Sequence, residues 1–417
     1  MIKPKSFRVI REVCLLAAIT GFGYWMIYGF TNVSAPGGDL VQSADLEPTA
    51  INEVESRENL TAISKIENQA ILPLPAVDAG VIPADIDMLS AAKNDAKLRD
   101  IIARIGPKSA MAELLNDSGG GALVDCHQES HNIGRIAYEV FGAIAFADGN
   151  AACHSGYYHG AIESFLYKNG TANLVQNIKT ICDSFGTSFG RFECLHGIGH
   201  GVMAYENYDL PGAIKICASL ENDYDRSSCY GGMFMENIVT AQGSGAGAVH
   251  ETEWANKSDP YFPCESIGGG YDLRYQCYQM QTSWMLTIFN YDFDRVKDAC
   301  LEAPTDMRLV CFKSFGRDAA GHTLRDVDKI TAICVKVSYH DEYYKECVNG
   351  AVNVIIDFWG DGLKDQATNL CKTVLESGKL TCYQTLSWRL GDVFGSTENR
   401  ADICAGFEDS YRYLCAN

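Results

Sequence analysis

Three hydrophobic patterns divide the chain. Val13 to Phe30 is a run without a single charge, long enough to cross a bilayer as a helix. Residues 31–88 hold no such run. They are acidic, carry Pro36, Pro48, Pro73, Pro75 and Pro83, and read as an extended stalk. From residue 89 onward the apolar positions fall into short runs of helical period. Ala91 to Leu115 predicts a helix broken at Gly106-Pro107. Beyond Ser118-Gly-Gly-Gly121 the runs come in pairs. A short amphipathic run such as Leu210–Cys217 or Asp292–Cys300 meets a polar linker such as Glu221–Asp225. A second apolar run follows, as in Cys229–Met235 or Cys382–Trp388. Asp209 and Asp292 stand where helix N-caps belong. Paired helices of this kind predict antiparallel hairpins.

The cysteines fix the period of these pairs. From Cys182 onward they form doublets, 182/194, 217/229, 264/277, 300/311, 334/347, 371/382 and 404/415. First members recur near every 35 residues, apart from a longer step between Cys217 and Cys264, which marks an insertion around Gln242–Glu253. A fixed period of this length signals a helical-hairpin array. The first cysteine ends a short helix and the second opens a longer one, so a disulfide staples the turn. Each short closed loop contributes about 2–3 kcal/mol on the chain-entropy estimate. Cys126 and Cys153 pair by elimination, and the helix between them must be short.

The fold class predicted is all-α, a disulfide-stapled helical-hairpin array behind an N-terminal transmembrane helix. In period and stapling the unit resembles the TPR and Sel1-like solenoid class, a resemblance that carries no functional residue with it. The organisation expected is a basic tail (1–12), an anchor (13–30), the stalk (31–88), a helical lead-in (89–121), histidine-rich repeats (122–210), and further stapled repeats (211–417) with the insertion at 240–260.

Charge and cysteine use then narrow the setting. The net charge of −19 excludes nucleic acid as a partner, because phosphates call for a basic surface. Lys3, Lys5, Arg8 and Arg11 precede the apolar run and keep its start in the cytoplasm, which sends the rest of the chain outside. A cleavable signal peptide is the rival reading of the same run. With Cys14 in the anchor, sixteen of the 17 cysteines remain, an even number that suits an oxidising periplasm or cell exterior. No Cys-x-x-Cys occurs, which removes the thioredoxin and c-type haem motifs.

Six of the nine histidines form couplets beside three of these cysteines. They are His127 and His131, His154 and His159, and His196 and His200. Histidines four apart share a helix face and can grip one metal ion. If equivalent positions on successive long helices align, the imidazoles meet at one or two transition-metal ions, with Fe, Cu and Zn all suited to the donor set. Glu163, four residues past His159, and Glu206 are the candidate catalytic carboxylates, and Glu236 lies further along the next helix. An open coordination position would make the centre an oxidative or hydrolytic enzyme. The competing readings are ordinary core histidines in phase with the repeat, or a proton-responsive cluster. His250, His322 and His340 read as structural. Gly186-Thr-Ser188-Phe-Gly190 matches a hydrolase elbow in letters but not in strand–turn–helix context. The alternative function is a non-catalytic scaffold that offers its repeat surface to a protein or peptide partner.

Overall fold

The computed structural model describes residues 86–118, 126–149, 153, 156–183, 188–243, 252–359, 364–394 and 404–415. The basic tail, the 13–30 run and the stalk up to residue 85 lie outside them, as do His154, His250 and the Gly-rich stretch 244–251. Among the described residues the chain is all-helical, without a strand. No helix among them is long and apolar enough to cross a membrane.

The lead-in comprises α1 (Met88–Ala91) and α2 (Asp95–Ser118). Asp87 caps α1, and α2 breaks where expected, at Gly106 with φ 77° ahead of Pro107. Eight long helices then carry the core. They are α3 (His127–Phe141), α5 (Gly156–Asn169), α7 (Ser188–Tyr205), α9 (Asp223–Ala241), α10 (Tyr271–Ile288), α12 (Arg308–His322), α14 (Asp341–Trp359) and α16 (Glu376–Phe394). Short helices alternate with most of them: α4 (Ile144–Ala147), α6 (Leu174–Cys182), α8 (Leu210–Ala218), α11 (Phe293–Glu302), α13 (Val327–Val335) and α15 (Lys364–Thr373). A 3-10 turn, Asp409–Cys415, packs on α16. Each long helix packs against the next long helix in chain order, and α16 returns to touch α7. Their facing sides form one continuous apolar core, with Tyr157, Phe192, Phe234, Tyr278, Phe312 and Tyr344 fully buried.

All eight predicted disulfides are present, with Cα–Cα separations from 5.3 to 5.9 Å. Cys126–Cys153 is among them, but the segment it closes holds the 15-residue α3 as well as the four-residue α4, so it is not the single short helix expected. Two details depart from the expected hairpin. First, the second cysteine does not open its long helix. Cys194, Cys229, Cys277, Cys347 and Cys382 each lie well inside theirs, so the bond crosses from the end of the short helix onto the flank of the long one. The overhanging first turns of α9 and α14 carry Asp223, Asp225, Asp341 and Glu342, which favour a helix N-terminus. Second, no helix precedes Cys264 among the described residues. Side chains of the neighbouring long helices hold residues 254–262 instead. Asn237 donates to the carbonyl of Trp254, Trp284 to that of Asn256, and Gln281 to those of Pro260 and Phe262.

A recurrent return turn links long helices to the next short ones. Asn207-Tyr208-Asp209, Asn290-Tyr291-Asp292 and Leu324-Arg325-Asp326 each place two residues at positive φ and then an Asp N-cap. Asp209 accepts from Gly212 N, and Asp292 from Asp294 N and Arg295 N, as anticipated. Left-handed backbone suits Asn far better than a branched aliphatic side chain. Leu324, at φ 53° and 56% exposed, is the misfit of the three turns. Leu324→Asn is expected to raise stability by about 0.5–1 kcal/mol in denaturant unfolding. A loss of stability would mean that the Leu324 side chain contributes more than its backbone strain removes.

Candidate metal centre

The long helices of the first half approach closely, and glycines permit it. A Cβ on Gly232 of α9 would fall 1.8 Å from the His196 carbonyl of α7, and one on Gly199 of α7 would fall 2.0 Å from that of Cys229. Helices this close bring side chains from three or four of them to one point. The point reached here is occupied by imidazoles.

His159 of α5 and His196 and His200 of α7 each offer one ring nitrogen within 4.8 Å of the other two. His159 stacks on His200 with centroids 4.5 Å apart, and lies 5.7 Å from His196. His127 of α3 stands 5.4 Å from His159, and His131 is 6.4 Å from His127. Five of the six couplet histidines therefore gather, and His154 lies outside the described residues. His131, His159, His196 and His200 are all buried.

The surroundings set the state of each ring. His200 Nδ1–H donates to Glu236 Oε2 at 2.8 Å, which leaves its Nε2 lone pair bare and without a hydrogen-bond partner. Glu236 is in turn held by the hydroxyls of Tyr208 at 3.1 Å and Thr240 at 3.4 Å. Burial favours its neutral form, yet the bond from His200 and the neighbouring charges prevail and keep its carboxyl below the usual range. His127 Nδ1–H donates to the Cys153 carbonyl at 3.1 Å, so its lone pair is on Nε2. His131 Nε2 lies 3.3 Å from Glu163 Oε2, and its Nδ1 has no hydrogen-bond partner. Both nitrogens of His159 are buried without a hydrogen-bond partner. Met235 brings its thioether within 3.3 Å of His196 Nε2.

Burial, reinforced by the neighbouring histidines, pushes His159 and His196 well below the ordinary imidazole range and His131 to about 3. The rings are thus neutral at physiological pH, the form that ligates metal. Burial, followed by the charge of Glu236, pushes Glu163 up to about 7. Its side chain keeps 26% exposure and is the cluster's polar link to solvent.

Of the two expected carboxylates, Glu163 meets the histidines and Glu206 does not. Helix α7 ends at Tyr205, and the turn that follows carries the Glu206 carboxylate to Gly212 and Asp209 at the head of α8. Glu236 stands at the histidines instead. Met235 and Tyr208 also belong to the site, though no motif marked them. His322 stacks on Tyr291 at 5.0 Å and His340 on Tyr343 at 3.7 Å, far along the chain from the cluster. Ser188 of the hydrolase-like motif opens α7 and is exposed. The chain matches no protein-family model, no curated protein and no solved structure.

The close approach of α7 and α9 is testable apart from any ligand. Gly232→Ala must push the His196 backbone away, and is expected to cost about 1–3 kcal/mol in denaturant unfolding. Gly270→Ala meets nothing within 4 Å and should change stability by less than about 0.5 kcal/mol. Equal effects from the two substitutions would refute the contact.

Proposed function

We propose that this chain is a membrane-tethered metalloprotein that binds a transition-metal ion through His159, His196 and His200. His127, His131 and Glu163 adjoin the ion, and Glu236 orients His200. The observation that carries this reading is His159, fully enclosed with two unpartnered ring nitrogens between two further imidazoles. An unfilled buried polar group costs about 1–3 kcal/mol, and a bound metal would offset several such losses at once. The carboxylate–His200 arrangement is the usual support for a metal-ligating imidazole, fixing its tautomer and raising its basicity. Imidazole donors suit iron, copper and zinc, and the soft thioether of Met235 favours copper among them.

The wider setting proposed is a helical-hairpin solenoid outside the cytoplasm, held at the membrane by the 13–30 run. The stapled hairpins and the neighbour-to-neighbour packing of the long helices support the array. The eight disulfides support an oxidising compartment. Glu163, the partly exposed carboxylate of the set, is the residue best placed to pass protons if the centre is catalytic, with an oxidative or hydrolytic reaction as the class expected of such donors.

The full chain, dialysed against copper, zinc or iron salts, is expected to retain about one ion per chain and to melt at higher temperature when loaded. His159→Ala should abolish retention while leaving the disulfide map intact. Glu236→Gln, which keeps the shape of the support, should weaken affinity about 10- to 100-fold without abolishing binding. His340→Ala serves as the neutral control. Metal retention by His159→Ala, or none by the parent chain, defeats the metal reading and leaves the scaffold as the better account.

A further inference from the structure

A second buried constellation forms where the array meets itself. Helix α16 packs on α7, from the opposite half of the chain. There Arg389 of α16 lies with its guanidinium 5.7 Å from the Phe189 ring of α7. Its Nε donates to Asp357 Oδ1 of α14 at 2.7 Å, its Nη2 donates to the same oxygen, and its Nη1 donates to Asp392 Oδ2 at 3.1 Å. Glu193 stands four residues past Phe189, on the same face of α7. It is 0% exposed, and neither of its carboxylate oxygens has a hydrogen-bond partner. Asp357 Oδ2 is also buried without one.

We propose that the junction of Glu193, Asp357 and Arg389 is a binding site for a primary ammonium group. The three open positions are all carboxylate oxygens, which are acceptors. A primary ammonium carries three N–H donors and no acceptor, so it fills all three and leaves nothing of its own unpaired. Charge agrees. Glu193, Asp357 and Asp392 outnumber Arg389, and Lys313 of α12 is the next cation whose charge reaches Asp357. The guanidinium itself is already engaged by two carboxylates, so an anion finds neither a free donor there nor a favourable charge. A hard cation such as calcium asks for six or more oxygens, twice what is open. Burial followed by the charge of Asp357 pushes Glu193 well up, and burial raises Asp357 to about 7 despite Arg389.

The site also has a place relative to the histidines. Glu193 and His196 stand i and i+3 on α7, neighbours on one helical surface with Cβ atoms about 5–6 Å apart. An amine-bearing molecule anchored at Glu193 adjoins the imidazole cluster. The ammonium site does not depend on the metal reading, because none of its three residues is a proposed ligand.

The probe is methylammonium chloride, titrated into the full chain, with tetramethylammonium chloride and sodium chloride at matched ionic strength. Calorimetry and thermal unfolding are the readouts. Methylammonium alone is expected to bind saturably and to raise the melting temperature, since tetramethylammonium has the charge but no N–H. Glu193→Gln should weaken methylammonium binding by about tenfold or more, with metal retention at the histidines unchanged. Asp357→Asn provides a second variant should the first misfold. No saturable response in the parent chain, equal responses to the two ammonium salts, or undiminished binding in a folded variant would each overturn the proposal. A variant that becomes more stable and loses nothing else would identify Glu193 as a protonated structural acid.

Discussion

The staple between each short helix and the flank of its long partner is the constraint on which the rest depends. Short helices of nine or ten residues are marginal on their own, and α6, α8, α11, α13 and α15 all fall in that range. The disulfide holds each one against its long helix at a set height. Because the bond meets the long helix at the same place in most units, successive long helices enter the core in a common register. That register lets residues from different units meet at one level. Glycine then sets how near they come. Gly199 and Gly232 bring α7 and α9 into backbone contact, and Gly316 and Gly350 do the same for α12 and α14.

Much of this was legible because cysteine marks position as well as chemistry. The doublets announce the hairpins, whereas the short interval between Cys126 and Cys153 misleads, because it closes over all of α3 as well as α4. The Asp N-caps follow from residue type. What stayed illegible depends on contacts with no local trace. Nothing near Cys264 says that Trp284 and Gln281 would hold its approach without a helix. Nothing near Glu206 says that the chain turns away one residue earlier. The return turns have a weak signature in Asn-Tyr-Asp, but Leu324-Arg325 takes the same backbone without it.

The candidate site divides along the same line. Its histidines could be read from spacing alone, since each couplet repeats relative to its cysteine. Of its supports, only Glu236 could be picked out, as a carboxylate further along the next helix. Tyr208 and Met235 could not, since only the packing of α7 on α9 brings them to the rings. Glu193 is further from view still. Its partners lie on α14 and α16, and they meet it only because the last long helix comes back to α7.

The chain contains its own comparison for the metal reading. His196 and His200 stand two and six residues after Cys194, and the same two places after Cys311 hold Lys313 and Arg317. The backbone around both pairs is alike, with a glycine on each side closing the helix contact. In the second half, Arg317 and its neighbours pair with one another, although Gln279, two residues after Cys277, is buried with both side-chain polar atoms unpaired. Arg317 donates to Asp318 and Ser283, while Ser283 at 2.8 Å and Thr282 at 2.6 Å donate to Asp318 as well. In the first half, the equivalent level holds imidazoles, and His159 and His200 keep ring nitrogens that no protein group fills. Buried polar groups are ordinarily paired, and Arg317 with Asp318 shows that the fold can pair them at this place. Under the proposed metal reading, the open imidazoles are the groups that would share one electron-pair acceptor, because several ring nitrogens converge there and at no other place among the described residues.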